Sequence, residues 1–115
     1  MEVRRGDVLL ANLNPAHGTE PGKKRPVVVV QSDLLNEAGH PSTLVCPVTS
    51  KVDSTVQYLR VALRPGNSGL RKPSAILVDQ VRAIDNRRLV TVLGRVPEHT
   101  MALLADRLGK ILEIG

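Results

Sequence analysis

The 115-residue sequence has no phenylalanine and no tryptophan, and Tyr58 is its one tyrosine. Without large rings the interior must be filled by Val, Leu, Ile and Ala, and runs of β-branched side chains favour strands over helices. The same lack removes the stacking platforms on which single-stranded nucleic acids often rest. Any such ligand would be held by hydrogen bonds, arginine stacking and groove shape. Cys46 is the only cysteine, which excludes an internal disulfide. It sits in the apolar run Leu44-Val45-Cys46-Pro47-Val48 and reads as a buried, inert thiol, compatible with a reducing compartment. No apolar run approaches the roughly 20 residues of a bilayer-spanning helix. The first residues, Met1 to Asp7, lack the apolar centre of a signal peptide. The expectation is a cytoplasmic protein with no membrane partner.

What is present suits one globular domain over residues 1–115, large enough to form a core without metal or disulfide staples. Apolar residues make up 42% of the chain and the formal net charge is +5. That charge fits a polyanionic partner such as RNA, DNA or an acidic protein segment, and equally a basic surface that keeps the protein soluble.

Strand patterns come first along the chain. Asp7 to Leu13 reads as a strand, and Asn14 to Lys24 as a loop rich in Pro and Gly. Pro26 to Gln31 carries four consecutive valines and predicts a strand buried on both faces, with Pro26 suited to its first position. Ser32 to Ala38 predicts a short helix capped by Ser32 or Asp33 and closed by Gly39. Thr43 to Val48 is the next strand. Gln57 to Leu63 alternates, with Tyr58, Arg60 and Ala62 on one face and Leu59, Val61 and Leu63 on the other. Ala75 to Ile84 and Leu89 to Val96 complete the strands. The period then becomes helical: Met101, Leu104, Leu108, Ile111 and Leu112 predict an amphipathic helix over Glu98 to Glu113. Five or six short strands followed by one packing helix point to a mainly β fold. The expected form is a small SH3-like, CcdB-like β-barrel with a C-terminal amphipathic helix.

Several familiar chemistries are unsupported. His17, His40 and His99 are scattered, and no Cys/His spacing resembles a zinc site, so neither a metal nor a cofactor is expected. There is no Walker-type phosphate loop and no nucleophile-elbow motif. Three stretches concentrate polar groups. Gly18-Thr19-Glu20-Pro21-Gly22-Lys23-Lys24-Arg25-Pro26 sets three adjacent cations beside a carboxylate, directly before a strand. Pro47-Val48-Thr49-Ser50-Lys51 puts hydroxyls and a cation at a strand end. Asp79-Gln80-Val81-Arg82 places polar groups inside an apolar strand. Taken singly, each also fits an ordinary solvated loop, a strand exit or solvent-facing alternation.

Taken together and in this order, with Gly6-Asp7-Val8 ahead of them and the helix behind, these stretches resemble the MazF/PemK family of toxin endoribonucleases over nearly the whole chain. The resemblance implies a homodimer that cuts single-stranded RNA, including mRNA, without a metal. It also implies an acidic, extended MazE-like antitoxin that blocks the groove. Arg25 and Thr49 would then be the catalytic pair. A guanidinium grips phosphate in a fork, and the Thr49 hydroxyl would hold a phosphoryl oxygen. Glu20 matches the family loop, either as general base or as the partner that orients Arg25. His17 has a suitable intrinsic pKa, but the resemblance gives it no role. Thr19, Lys23, Lys24, Ser50, Lys51 and Gln80 are the candidate RNA-binding residues. Two other functions fit the same fold class: a gyrase-poisoning toxin like the CcdB relatives, and an RNA-binding module without catalysis.

Overall fold

A computed structural model of the chain describes residues 1–14, 18–19, 23–51 and 54–115. The described strands are β1 (Asp7–Asn12), β2 (Lys24–Val29), β3 (Ser42–Thr49), β4 (Arg60–Leu63), β5 (Ser74–Leu77), β6 (Arg82–Asp85) and β7 (Leu89–Arg95). Two helices, α1 (Asp33–Glu37) and α2 (Glu98–Ile111), accompany them. All described pairings are antiparallel, and the hydrogen-bonded path runs β4-β5-β3-β2-β1-β7, with β6 on β3. The expected mainly β architecture with a C-terminal helix is present. The ladder path ends at β4 and β7, and no pairing among the described residues joins those two ends.

The valine run explains the centre of the sheet. Val28, Val30, Cys46, Val48, Val61 and Ile76 form one core cluster, which Leu104 and Leu108 of α2 cover. Val27, Val29 and Val45 join Leu9, Ala11, Leu13 and Ile84 in a second. Alternation along a strand sends successive side chains to opposite faces, so β2 and β3 are buried on both sides. Pro26 is the third residue of β2 rather than its first, since the strand begins at Lys24. Pro47 lies where β3 changes partner: β6 pairs with it through Val45 and β5 from Val48. A residue without an N–H suits that gap in the ladder.

Two expected strands are shorter than the sequence pattern suggests. Gln57 to Leu59 belongs to a 3-10 helical turn over Ser54–Leu59, and only Arg60–Leu63 pairs as a strand. The run Ala75 to Ile84 is broken by a second 3-10 turn at Val78–Gln80, so β5 and β6 are separate strands. Asp79 and Gln80 therefore sit in a turn, not inside a strand. The physical reason is that β3 offers its edge first to one partner and then to the other. The connecting residues turn between them while Val78 stays fully buried.

The helices follow their capping chemistry. Ser32 accepts the Leu34 N–H at 3.1 Å to start α1. The Asp33 carboxylate accepts the Arg5 N–H at 2.7 Å and an Asn36 amide hydrogen at 3.0 Å. Those bonds to its charged form hold its pKa below the usual carboxylate value. Buried Asp7 pairs with Arg95 at 2.6 Å and accepts the Arg4 N–H at 2.9 Å, which ties the N-terminal segment to β7.

Arg107 of α2 fastens the helix to the chain before β4. Its Nη1 donates to the carbonyls of Gln57, Tyr58 and Arg60 at 2.9, 3.0 and 2.9 Å. Its guanidinium also stacks 5.2 Å from the centre of the Tyr58 ring. It satisfies carbonyls that a 3-10 turn leaves open at its end. Arg107→Ala is expected to lower stability by about 2 kcal/mol, from charged hydrogen bonds and a cation–π contact. Arg107→Lys should recover less than half of that, because an ammonium lacks the fork. A urea midpoint unchanged in Arg107→Ala would contradict this assignment.

Candidate functional site

The N-terminal end of β2, the C-terminal end of β3 and the start of β5 lie side by side. Here a groove of about 320 Å³ is lined by Lys23, Lys24, Arg25, Ser50, Arg71 and Lys72, with Pro26, Val48, Leu70 and Ser74 as its floor and walls. Five of these side chains are cationic, and none of the described lining residues is acidic. Such a concave field of one sign attracts anions.

The register explains the arrangement. Val27 pairs with Pro47 and Val29 with Val45. Continued two residues further, the same register sets Arg25 across from Thr49. By strand alternation these two share the sheet face of Val27 and Val45, whereas Lys24 and Ser50 share the other. The groove lies around the strand ends, so half-buried Arg25 lines it too. Thr49 pairs with Ala75, and its Oγ1 accepts the Lys51 N–H at 3.1 Å, which shapes the exit from β3.

Lys23 is fixed at the neck of the preceding loop. Its N–H donates to Asn14 Oδ1 at 2.5 Å and its carbonyl accepts the Leu13 N–H at 2.8 Å. These bonds hold it at a φ of 64°, a left-handed conformation that costs a side-chain-bearing residue roughly 1 kcal/mol. Lys23 and Lys24 are thus presented by a clamped backbone.

The opposite wall depends on close packing of backbone against backbone. Val8 pairs with Gly94 and Leu9 with Val92, so Leu93 is the extra residue of a β-bulge in β7. Gly69, at a φ of 77°, packs on the Leu93 carbonyl, and Gly94 packs beneath Asn67 and Ser68. The Ser68 hydroxyl donates to the Arg64 carbonyl at 2.7 Å and accepts the Leu70 N–H at 3.3 Å. Ser74 Oγ donates to the Lys72 carbonyl at 3.0 Å. Together these contacts hold the segment that carries Arg71 and Lys72.

Of the expected site residues, Lys23, Lys24, Arg25 and Ser50 line one groove, and Thr49 flanks it. Lys51 is exposed just beyond, Thr19 is exposed in a turn, and Gln80 ends the second 3-10 turn; none of the three lines the groove. Glu20 and His17 lie outside the described residues. Arg71, Lys72 and Ser74 were missed by sequence reasoning. Their signal was the Arg71-Lys72 pair directly before a strand, the same pattern that marks Lys24-Arg25. Burial pushes the Cys46 thiol up to about 12, so it is protonated at neutral pH and is no nucleophile. Among the described residues no group of three or more His, Cys, Asp or Glu side chains is placed to hold a metal ion.

A family model described as the PemK-like, MazF-like toxin of type II toxin–antitoxin systems matches residues 4–112. The chain is 32% identical over 115 residues to endoribonuclease EndoA of Bacillus subtilis (strain 168), covering 100% of this chain and 95% of that protein. Its fold is similar to MazF from Deinococcus radiodurans, with a TM-score of 0.83 at 27% identity and 98% of both chains covered. A structure of MazE-MazF from the same organism matches with a TM-score of 0.79 at 26% identity, over 100% of both chains.

The packing of the wall generates a paired test. A Cβ on Gly69 would stand 2.0 Å from the Leu93 carbonyl oxygen, whereas one on Gly66 would meet nothing within 4 Å. Both residues have positive φ. Gly66→Ala should cost about 1 kcal/mol, the backbone conformation alone. Gly69→Ala should cost more than about 3 kcal/mol, because strain and overpacking add. Equal thermal midpoints for the two variants would show that the close approach is not what holds this wall.

Proposed function

The chain belongs to the PemK-like, MazF-like toxin family of type II toxin–antitoxin systems, and from that premise we propose that it is a metal-independent endoribonuclease that cuts single-stranded RNA, mRNA included. The observation that carries this reading is the cationic groove at the ends of β2 and β3, where the register faces Arg25 with Thr49. The endoribonuclease name of the Bacillus subtilis relative supports it over a gyrase-directed toxin and over a binding module without chemistry.

In the proposed reaction the ribose 2′-oxygen attacks the adjacent phosphorus and loses its proton to a general base. The bond from phosphorus to the 5′-oxygen breaks, and that oxygen takes up a proton. The products are a 2′,3′-cyclic phosphate and a 5′-hydroxyl end. Charge accumulates on the phosphoryl oxygens in the transition state, and fixed donors aimed there lower the barrier. Arg25 is the residue for that task, with Thr49 holding a phosphoryl oxygen. A guanidinium stays protonated, so the base is another group. Glu20 has the right chemistry, as base or as the carboxylate that orients Arg25. Lys23, Lys24 and Ser50 hold the flanking backbone, and Thr19, Lys51 and Gln80 are candidates further out. The density of fixed cations supplies the neutralisation that a metal supplies in other nucleases.

The Deinococcus radiodurans MazE-MazF structure supports an antitoxin as partner. A groove that accepts phosphates also accepts carboxylates, so an acidic MazE-like segment would occupy the same surface. The outer edge of β7, with Val90 and Val92 exposed, supports a homodimer, since a free strand edge needs cover.

Cleavage of a long RNA should persist in excess EDTA and yield 5′-hydroxyl ends that a kinase labels directly. Activity lost to chelator and restored by magnesium, or 5′-phosphate ends, would overturn the mechanism. Arg25→Ala should slow cleavage at least ~10²-fold, the usual loss for one preorganised donor. Arg25→Lys should recover little. Near-normal cleavage by Arg25→Ala, with the fold verified by its unfolding curve, would remove Arg25 from the site.

A further inference from the structure

The largest concavity of the described surface is not the cationic groove. It has a volume of about 550 Å³ and lies on the other side of the β4–β5 connection, against the start of α2. Arg64, Asn67, Ser68, Pro97, His99 and Thr100 line it, and no acidic side chain does.

Three observations give it a chemistry. First, α2 is a 14-residue helix whose N-cap is Pro97, with no side-chain cap bond. The first-turn N–H groups of Glu98 and His99 have no intrahelical acceptor, and proline supplies no oxygen to take them. Second, Thr100 is 8% exposed and lines this pocket, yet its hydroxyl has no hydrogen-bond partner among the described residues. Buried hydroxyls are normally paired, so an unpaired one at a pocket wall marks a place for a ligand. Third, Arg64 lines the same wall and has no ion-pair partner among the described residues. Glu98 carries a negative charge in the same helical turn, but it does not line the pocket, and it offsets the helix dipole more than it fills the cavity.

A cation, an unused hydroxyl and an uncapped helix start converging on one cavity form a receptor for a tetrahedral oxyanion. Arg64 and the Arg71-Lys72 pair stand at the two ends of one loop, between Leu63 of β4 and Ser74 of β5, which pair with each other. We propose that this pocket is a second phosphate site, taking a backbone phosphate of the substrate strand after that strand has left the cleavage groove across this loop. The identity of the strand rests on the endoribonuclease reading above; the affinity for phosphate does not.

The experiment uses the intact protein and reads backbone amide shifts of Glu98, His99 and Thr100, together with affinity. Inorganic phosphate alone should shift these three amides, and Arg64→Ala should abolish the shift. A non-cleavable 2′-O-methyl strand of about 12 nucleotides should shift them as well, whereas one of about 4 should fill only the groove. Arg64→Ala should weaken the longer strand about 5- to 10-fold and reduce its log-log salt slope by about 0.7, one phosphate contact. It should leave the shorter strand's affinity unchanged. Thr100→Val should weaken phosphate binding with no fall in thermal midpoint, because the fold does not use that hydroxyl. No shift with phosphate overturns the site. A shift with phosphate but none with the longer strand, or a shift with a poly-glutamate peptide alone, overturns its assignment to RNA. Loss of RNA cleavage in the parent protein would count against the nuclease reading and leave the phosphate arm intact.

Discussion

Burial of β2 and β3 on both faces is the constraint from which the rest follows. Val27, Val29 and Val45 belong to one core and Val28, Cys46 and Val48 to the other. A strand in that position has no polar face, so an ionised group within it would lose its hydration without compensation. Polar chemistry is admitted only where the strands run out of core. At one end of the pair those places are Lys24 and Arg25 on β2 and Thr49 and Ser50 on β3. The antiparallel register brings them together, and the stiffness of the β-branched ladder behind them fixes their spacing. Lack of aromatic rings reinforces this. Compact Val and Ile side chains keep the strands close, and each buried apolar side chain contributes about 2 kcal/mol.

The distribution of acidic residues sharpens the field of the groove. Asp7 is spent on Arg95, Asp85 on Arg87 and Asp106 on Lys110, all away from the groove. Hydrogen bonds from Arg87 hold the Asp85 carboxyl below its ordinary pKa, so that acid stays ionised beside its own local partner. The described carboxylates therefore neutralise cations of the outer sheet and helix, while Lys23, Lys24, Arg25, Arg71 and Lys72 share one concavity. Like charges at such separations repel by about 0.5 kcal/mol per pair in a well-hydrated groove. The folded sheet bears that repulsion, and an arriving polyanion relieves it.

The sequence disclosed the elements whose periodicity comes from their own burial. The valine run, the capped α1 and the helical spacing from Met101 to Leu112 needed no knowledge of neighbours. It misled where structure depends on a partner elsewhere. Ala75 to Ile84 reads as one strand because it is apolar throughout, but β3 divides it between two pairings. Gln57 to Leu59 alternates like a strand, yet its carbonyls are taken by Arg107, some fifty residues away in sequence. The site shows the same division. Lys23 to Arg25 was legible as a charge run before a strand, and Thr49 as a hydroxyl at a strand end. Arg71 and Lys72 were not, because only the pairing of β3 with β5 carries them to the groove. The Glu20 position lies outside the described residues, so the sequence alone speaks for it.

Gly69 and Gly94 show how a groove made partly of loop can still be rigid. A cationic wall is useful to an anion only if its side chains need not be gathered at the moment of binding, since each mobile lysine or arginine costs about 1 kcal/mol to order. Here the backbone beneath Arg71 and Lys72 is already ordered. Gly69 lies on the carbonyl exposed by the β7 bulge, and the Arg95 N–H donates to the Asn67 carbonyl at 2.8 Å. Arg95 in turn is paired with buried Asp7, and the Val96 N–H donates to the Gly6 carbonyl at 2.8 Å. The wall of the groove is thus fastened through β7 to the first strand of the sheet, and the same turn of chain leads directly into α2. Displacement of that loop cannot occur without breaking bonds that also hold β1 and the start of the helix. The two anion-attracting concavities on either side of the loop are consequently parts of one rigid surface, positioned relative to each other by the fold and not by the ligand.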